Sequence, residues 1–175
     1  MPEIADPKER LDGSGLRIAL AVARYHPQIT GAMQEKARRS LVAHGVAEED
    51  IEIWHAPGSF ELPILAQALA ASRRYDAIIC LGCVMKGETR HDVLVGDAAA
   101  QGIQRVALES GLPVIFGVIC ASNRLQAQAR IPRASECALA AIDLASTLRR
   151  IRGPAPRQVR VSERPGCVSA EERSN

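Results

Sequence analysis

The chain turns on the run Ala77-Ile78-Ile79-Cys80-Leu81-Gly82-Cys83-Val84-Met85-Lys86-Gly87-Glu88-Thr89-Arg90-His91-Asp92. Its first five residues, Ala77 to Leu81, are apolar without interruption, as in a strand buried on both faces. A polar segment with a glycine follows, and then a helical pattern from Val93 to Ser110. A strand, a phosphate-sized loop and a helix N-terminus in that order suit an anion. The first-turn N–H groups of a helix lack intrahelical acceptors, and the dipole adds partial positive charge. His91 stands at the mouth of that place, and an imidazole can both give and take a proton near neutral pH. Gly87-Glu88-Thr89 offers backbone N–H groups and one hydroxyl to a phosphate. Lys86, Arg90 and Arg130 supply charge to set against Glu88. Asp92 either orients His91 or is simply a carboxylate favoured at a helix start.

The same alternation extends in both directions. Leu16 to Ala23 reads as a first strand, followed by Arg24-Tyr25-His26-Pro27. A helix then carries Ile29, Ala32, Met33, Ala37, Leu41 and Val42 on its spacing and stops at Gly45. Ile51 to Trp54 reads as a short second strand. Ala56-Pro57-Gly58-Ser59 is a turn, with Ser59 as N-cap of a helix holding Leu62, Leu65, Ala66 and Leu69. Pro63 falls within the first turn of that helix. After Gly111 and Pro113, Val114 to Ile119 is a fourth strand. Ser122 or Asn123 caps a short helix to about Arg130, and Pro132 breaks the pattern. A last helix, Ser135 to Ile151, presents Cys137, Ala141, Leu144 and Leu148 as one stripe.

Strands alternating with helices imply a parallel sheet covered on both faces. The expected fold is a flavodoxin-like, doubly wound three-layer α/β/α sandwich with a four-stranded parallel sheet. Residues 1–15 are expected to be a flexible N-terminal arm, 16–152 the α/β domain, and 153–175 a disordered tail. Ligands of such sheets bind beyond the carboxyl ends of the strands. Arg24-Tyr25-His26, Gly58 to Glu61, Lys86 to Asp92 and Ala121-Ser122-Asn123 all follow strands and would share that edge. There, Tyr25 could stack on a planar ring. Phe60 reads as ordinary packing, and Glu61 as dipole-favoured or as an acceptor for hydroxyls. His26, His44 and His55 carry no constellation of their own.

Composition narrows the function. Of 175 residues 47% are hydrophobic but only 3% aromatic, so the core must be Ala, Val, Ile and Leu. A net charge of +2 with interspersed signs argues against a nucleic-acid surface. No apolar run is long enough to span a membrane, and the first residues do not read as a secretory signal, so a cytoplasmic protein is expected. Five cysteines, an odd number, argue for free thiols. Cys80 and Cys83 lie three apart on a strand and so point to opposite faces, where they can neither bridge nor share a metal. The motifs of dinucleotide binding, P-loop chemistry and α/β-hydrolases are missing from the sequence.

Four segments together resemble the 6,7-dimethyl-8-ribityllumazine synthase family, in its order and at its spacing, over about residues 16 to 150. They are Ala23-Arg24-Tyr25 with Ile29-Thr30, Ala56 to Pro63, Leu81 to His91, and Pro113 to Val118. The resemblance implies the penultimate step of riboflavin synthesis, without a metal or redox cofactor. It implies that Tyr25 stacks on the pyrimidinedione and that Ser59, Phe60 and Glu61 contact its ribityl chain. Cys83, Val84 and Met85 would line the ring edge. Glu88, Thr89 and Arg130 would hold the butanone phosphate, and His91 would shuttle the proton. Phe116 would reach in from a neighbouring subunit of a homopentamer, and some family members assemble twelve pentamers into a shell. Departures also stand out. His26 replaces a usual Asn, Asp92 follows the histidine where an aromatic is common, and Arg130 to Ser135 is shorter than the family's loop. That loop lacks an Asn-Lys-Gly, whose lysine Arg133 could replace. These departures leave a second reading, a non-catalytic relative that binds flavin-like ligands or builds a shell.

Overall fold

The computed structural model describes residues 11–153. The rest of the proposed arm, residues 1–10, and the tail beyond Gly153 lie outside the described residues. Four strands form one sheet: β1 (Ile18–Ala23), β2 (Ile51–Ala56), β3 (Ala77–Met85) and β4 (Val114–Ala121). All pairings are parallel and the order is β2-β1-β3-β4. Five helices connect and cover them: α1 (Pro27–Ala43), α2 (Leu62–Ala71), α3 (His91–Ser110), α4 (Arg124–Ala129) and α5 (Arg133–Arg152). This is the doubly wound layout expected from the alternation. Among the described residues, no helix is long and apolar enough to cross a membrane.

The two faces of the sheet are built differently. On one, Ile18, Leu20 and Val22 of β1 pack with Ile79, Leu81 and Cys83 of β3 beneath α1 and α5. On the other, β1 presents only Ala19, Ala21 and Ala23 and α2 packs over them, while α3 covers β3 and β4. Pro63 sits at the second position of α2, where its missing N–H would have had no partner. It packs so close to α3 that a Cβ on Gly102 would come within 2.7 Å of its ring. Cys80 and Cys83 fall on opposite faces and are free thiols.

Four expectations change. β3 runs on to Met85, because β4 pairs with it from Ile78↔Val114 to Met85↔Ala121. His91 and Asp92 therefore open α3 directly after a short loop. The buried stripe of α5 is Ala134, Cys137, Ala138, Ala141, Ile142 and Ala145, while Leu144 is exposed. Small residues face inward there because α5 lies tight against α1 and the sheet. Residues 11–15, assigned to the arm, are tied to the domain: the Gly13 N–H donates to the His44 carbonyl at 2.7 Å. Finally, Ser59 caps nothing. It begins a single 3₁₀ turn, Ser59–Glu61, ahead of α2.

Gly117 lies in β4, in register with Leu81 of β3. An added Cβ would stand 2.9 Å from the Cys80 carbonyl oxygen and 2.8 Å from Leu81 Cδ2. A ladder carbonyl cannot yield, so Gly117→Ala is expected to destabilise the fold by about 1–3 kcal/mol. At Gly31, the fifth residue of α1, an added Cβ would meet open space among the described residues. Gly31→Ala is expected to be neutral or stabilising by up to about 1 kcal/mol. Denaturant midpoints of the two variants, read against the parent, check both.

Candidate active site

β1 and β3 are paired from Ile18↔Ala77 to Val22↔Leu81. Beyond Leu81, β3 keeps its partner β4 but, among the described residues, has no strand on the β1 side. Gly82 to Met85 therefore forms a half-strand with one open flank. It lies where the strand order reverses, the usual ligand crevice of such sheets. Three segments close around that flank: the residues after β1, the turn after β2, and the loop and helix start after β3. Together they enclose a cleft of about 770 Å³.

Tyr25 and His26 enter from the end of β1. Tyr25 is 68% exposed, although the chain has only two tyrosines and two phenylalanines. A Cβ on Gly58 would come within 3.0 Å of the Tyr25 ring and of the Glu61 carboxylate, so the glycine leaves room for both. His26 has the left-handed backbone, φ 57°, which few residues other than glycine adopt. Its carbonyl accepts the first bonds of α1, from the N–H groups of Ile29 and Thr30 at 2.8 and 3.0 Å. The turn after β2 contributes Ser59, Phe60 and Glu61 to the lining. Phe60 is 58% exposed, so it is a wall of the cleft rather than the packing residue expected.

β3 contributes Cys83, Val84 and Met85, and the following segment contributes Gly87, Thr89, His91 and Asp92. The Lys86 N–H donates to the Ala121 carbonyl at 2.9 Å and pins the start of the loop. Arg90, the residue before α3, offers no side-chain cap, so the first-turn N–H groups remain available to an anion. The nearest local acceptor is Thr89 Oγ1, 3.4 Å from the His91 nitrogen. Burial raises the Cys83 thiol above its ordinary range, with a smaller push from Cys120. Cys80 beneath is pushed up to about 12 by burial. Both stay protonated at neutral pH, so Cys83 is an apolar wall here rather than a nucleophile.

The cleft thus gathers nine of the twelve residues singled out from sequence: Tyr25, Ser59, Phe60, Glu61, Cys83, Val84, Met85, Thr89 and His91. Glu88 is exposed in the same loop but outside the lining. Phe116 is half-buried on β4 against the core under α2 and α3. Arg130 lines a separate hollow of about 330 Å³ with Cys120, Pro132, Arg133 and Glu136. Two lining residues were not anticipated, Leu94 and Val95, and His26, expected at this rim, had been given no role there. Leu94 and Val95 follow His91 by three and four residues, a spacing that puts them on one helix face. His26 precedes a helix-opening proline, the junction at which a chain leaving a strand must turn. Among the described residues, no three His, Cys, Asp or Glu side chains converge as metal ligands would.

Comparison with known proteins adds two findings. The sequence model of the family described as 6,7-dimethyl-8-ribityllumazine synthase matches residues 15–149. A curated protein named 6,7-dimethyl-8-ribityllumazine synthase, from Thermococcus gammatolerans, is 40% identical over 143 residues, covering 79% of this chain and 92% of that protein.

Proposed function

The chain belongs to the 6,7-dimethyl-8-ribityllumazine synthase family and is a lumazine synthase of riboflavin biosynthesis, and we propose that the cleft at the open flank of β3 is where it works. The reaction condenses 5-amino-6-(D-ribitylamino)uracil with 3,4-dihydroxy-2-butanone 4-phosphate. An amine adds to a carbonyl and water leaves, phosphate is eliminated, and ring closure expels a second water. One observation carries the assignment. A single cleft holds an unpaired strand flank, an exposed aromatic, an uncapped helix start and an imidazole.

Each part has a task in this reading. The pyrimidinedione stacks on Tyr25, with its polar edge along Cys83, Val84 and Met85. The ribityl hydroxyls meet the Ser59–Glu61 turn, with the Glu61 carboxylate as acceptor. Thr89, the Glu88 backbone and the first-turn N–H groups of α3 hold the phosphate of the second substrate. That puts its carbonyl beside His91. The imidazole takes a proton from the attacking amine and returns it to the departing oxygen. Positioned acid–base groups contribute ~10²–10⁴ in rate. Aligning two substrates contributes roughly 7–11 kcal/mol. Alignment is the larger of the two, which suits a site with one imidazole at its helix start and many binding contacts.

Phe116 and Arg130 lie away from their own chain's cleft. In our reading they serve the cleft of the next subunit in a homopentamer, with Arg133 beside Arg130 in the place of the family's lysine. We also place the enzyme in the cytoplasm, in keeping with four free thiols among the described residues.

Mixing both substrates with the protein is expected to produce lumazine fluorescence well above the uncatalysed rate; no excess would reject the proposed site and its activity together. His91→Ala is expected to lower kcat about 10²-fold or more while binding of the pyrimidinedione persists. Unchanged turnover at saturation would remove His91 from the chemistry. Co-assembling His91→Ala subunits with Arg130→Ala subunits tests the shared site. Roughly a quarter of the interfaces in a mixed ring then carry both intact groups. Activity is expected to rise above that of either variant alone, and no rise would return Arg130 to its own chain or to no role.

A further inference from the structure

Ser59 is 4% exposed, and its Oγ has no hydrogen-bond partner. Among the described residues it is the one buried side-chain oxygen or nitrogen so placed. A buried hydroxyl without a partner is destabilising, so local stability does not account for it. Its position is informative. A Cβ built on Gly82 would stand 2.5 Å from Ser59 Oγ, closer than atoms tolerate, and 3.4 Å from Ser59 Cβ. The third neighbour, Leu62 Cδ1, lies at 3.2 Å and is the free end of a flexible side chain. The hydroxyl therefore occupies the notch left by the missing side chain of Gly82. Gly82 is also the first residue of β3 beyond the end of β1 pairing. The notch and the open flank of the cleft therefore begin together.

We propose that Gly82 is a positioning residue for the amine substrate: its notch seats Ser59 and thereby sets where Phe60 and Glu61 stand along the ribityl chain. The proposal rests on the reading that this turn meets the ribityl hydroxyls. Gly82 itself does not line the cleft, whereas Gly58, Ser59, Phe60 and Glu61 on the turn side and Cys83 on the strand side all do. Its influence on substrate passes through the turn. The phosphate end is carried by other elements, the loop after β3 and the start of α3, and that loop has its own anchor in the Lys86 N–H bond to the Ala121 carbonyl. A side chain at this position should thus separate the two substrates in a way that general loosening of the fold would not.

The test is a double-mutant cycle on the full chain, measuring KM for each substrate, kcat and the thermal midpoint. Gly82→Ala is expected to raise KM for 5-amino-6-(D-ribitylamino)uracil about tenfold. KM for the butanone phosphate and kcat should stay within about threefold. Ser59→Ala removes the oxygen that the new methyl would meet. In that background, adding Gly82→Ala should change KM for the amine by less than about threefold and leave the midpoint close to that of Ser59→Ala alone. Equal rises in both KM values, an unchanged amine KM in Gly82→Ala, or full additivity in the cycle would overturn the proposal. If Gly82→Ala does not fold, a folded Ser59→Ala/Gly82→Ala enzyme with the amine KM of Ser59→Ala upholds it, and a double variant that also fails to fold overturns it. Absence of product from the unaltered enzyme would instead reject the function of the cleft, a separate result from any of these.

Discussion

Among the described residues, β3 is flanked by strands on both sides up to Leu81 and on one side only from Gly82 to Met85. That difference in length between β1 and β3 shapes the functional end of the molecule. A strand that stops leaves its neighbour's main-chain groups without a ladder, and such groups demand other partners. The chain places Tyr25, the turn after β2 and the start of α3 around the exposed segment. The parallel order makes this possible, because all four strands end at the same rim and the segments leaving them meet there.

Much of this was legible from residue order alone. Apolar runs such as Ala77 to Leu81 separated by helical spacings were enough for a parallel sheet with two covered faces. The polar segments at strand ends located the rim, and with it Tyr25, Glu61, Thr89 and His91. What escaped depends on contacts between distant parts of the chain. The extra four residues of β3 exist because β4 is long enough to pair with them, which no local pattern in residues 82–85 expresses. Ser59 has the chemistry of a helix cap, but its hydroxyl is taken up in a notch beside Gly82, 23 positions further along. In α5 the eye follows Leu144 and Leu148, whereas the tight approach to α1 selects alanines.

The unequal faces of the sheet have their own logic. Large aliphatics on one side of β1 fill the space below α1 and α5, while alanines on the other let α2 approach. α2 carries the Ser59–Glu61 turn at its start, so its depth over the alanine face sets how far that turn reaches toward β3. At the outer strand, β2, the solution is polar. Glu52 accepts a hydrogen bond from the Tyr75 hydroxyl at 2.6 Å and pairs with Arg17 and Arg74, and Trp54 donates to that same hydroxyl. The bond from Tyr75, followed by the arginines, holds the Glu52 carboxyl below its ordinary range. Charge along an outer strand discourages unplanned pairing with other sheets.

The half-strand from Gly82 to Met85 has an implication for how such a protein drifts over time. One flank of the cavity is amide and carbonyl, and these are the same whichever β-forming residue carries them. Exchanges at Val84 or Met85 can accumulate there without erasing the wall's polarity. Gly82 has no such freedom, since any replacement adds bulk where a neighbour already stands. Descent would therefore preserve an empty position more faithfully than the side chains beside it.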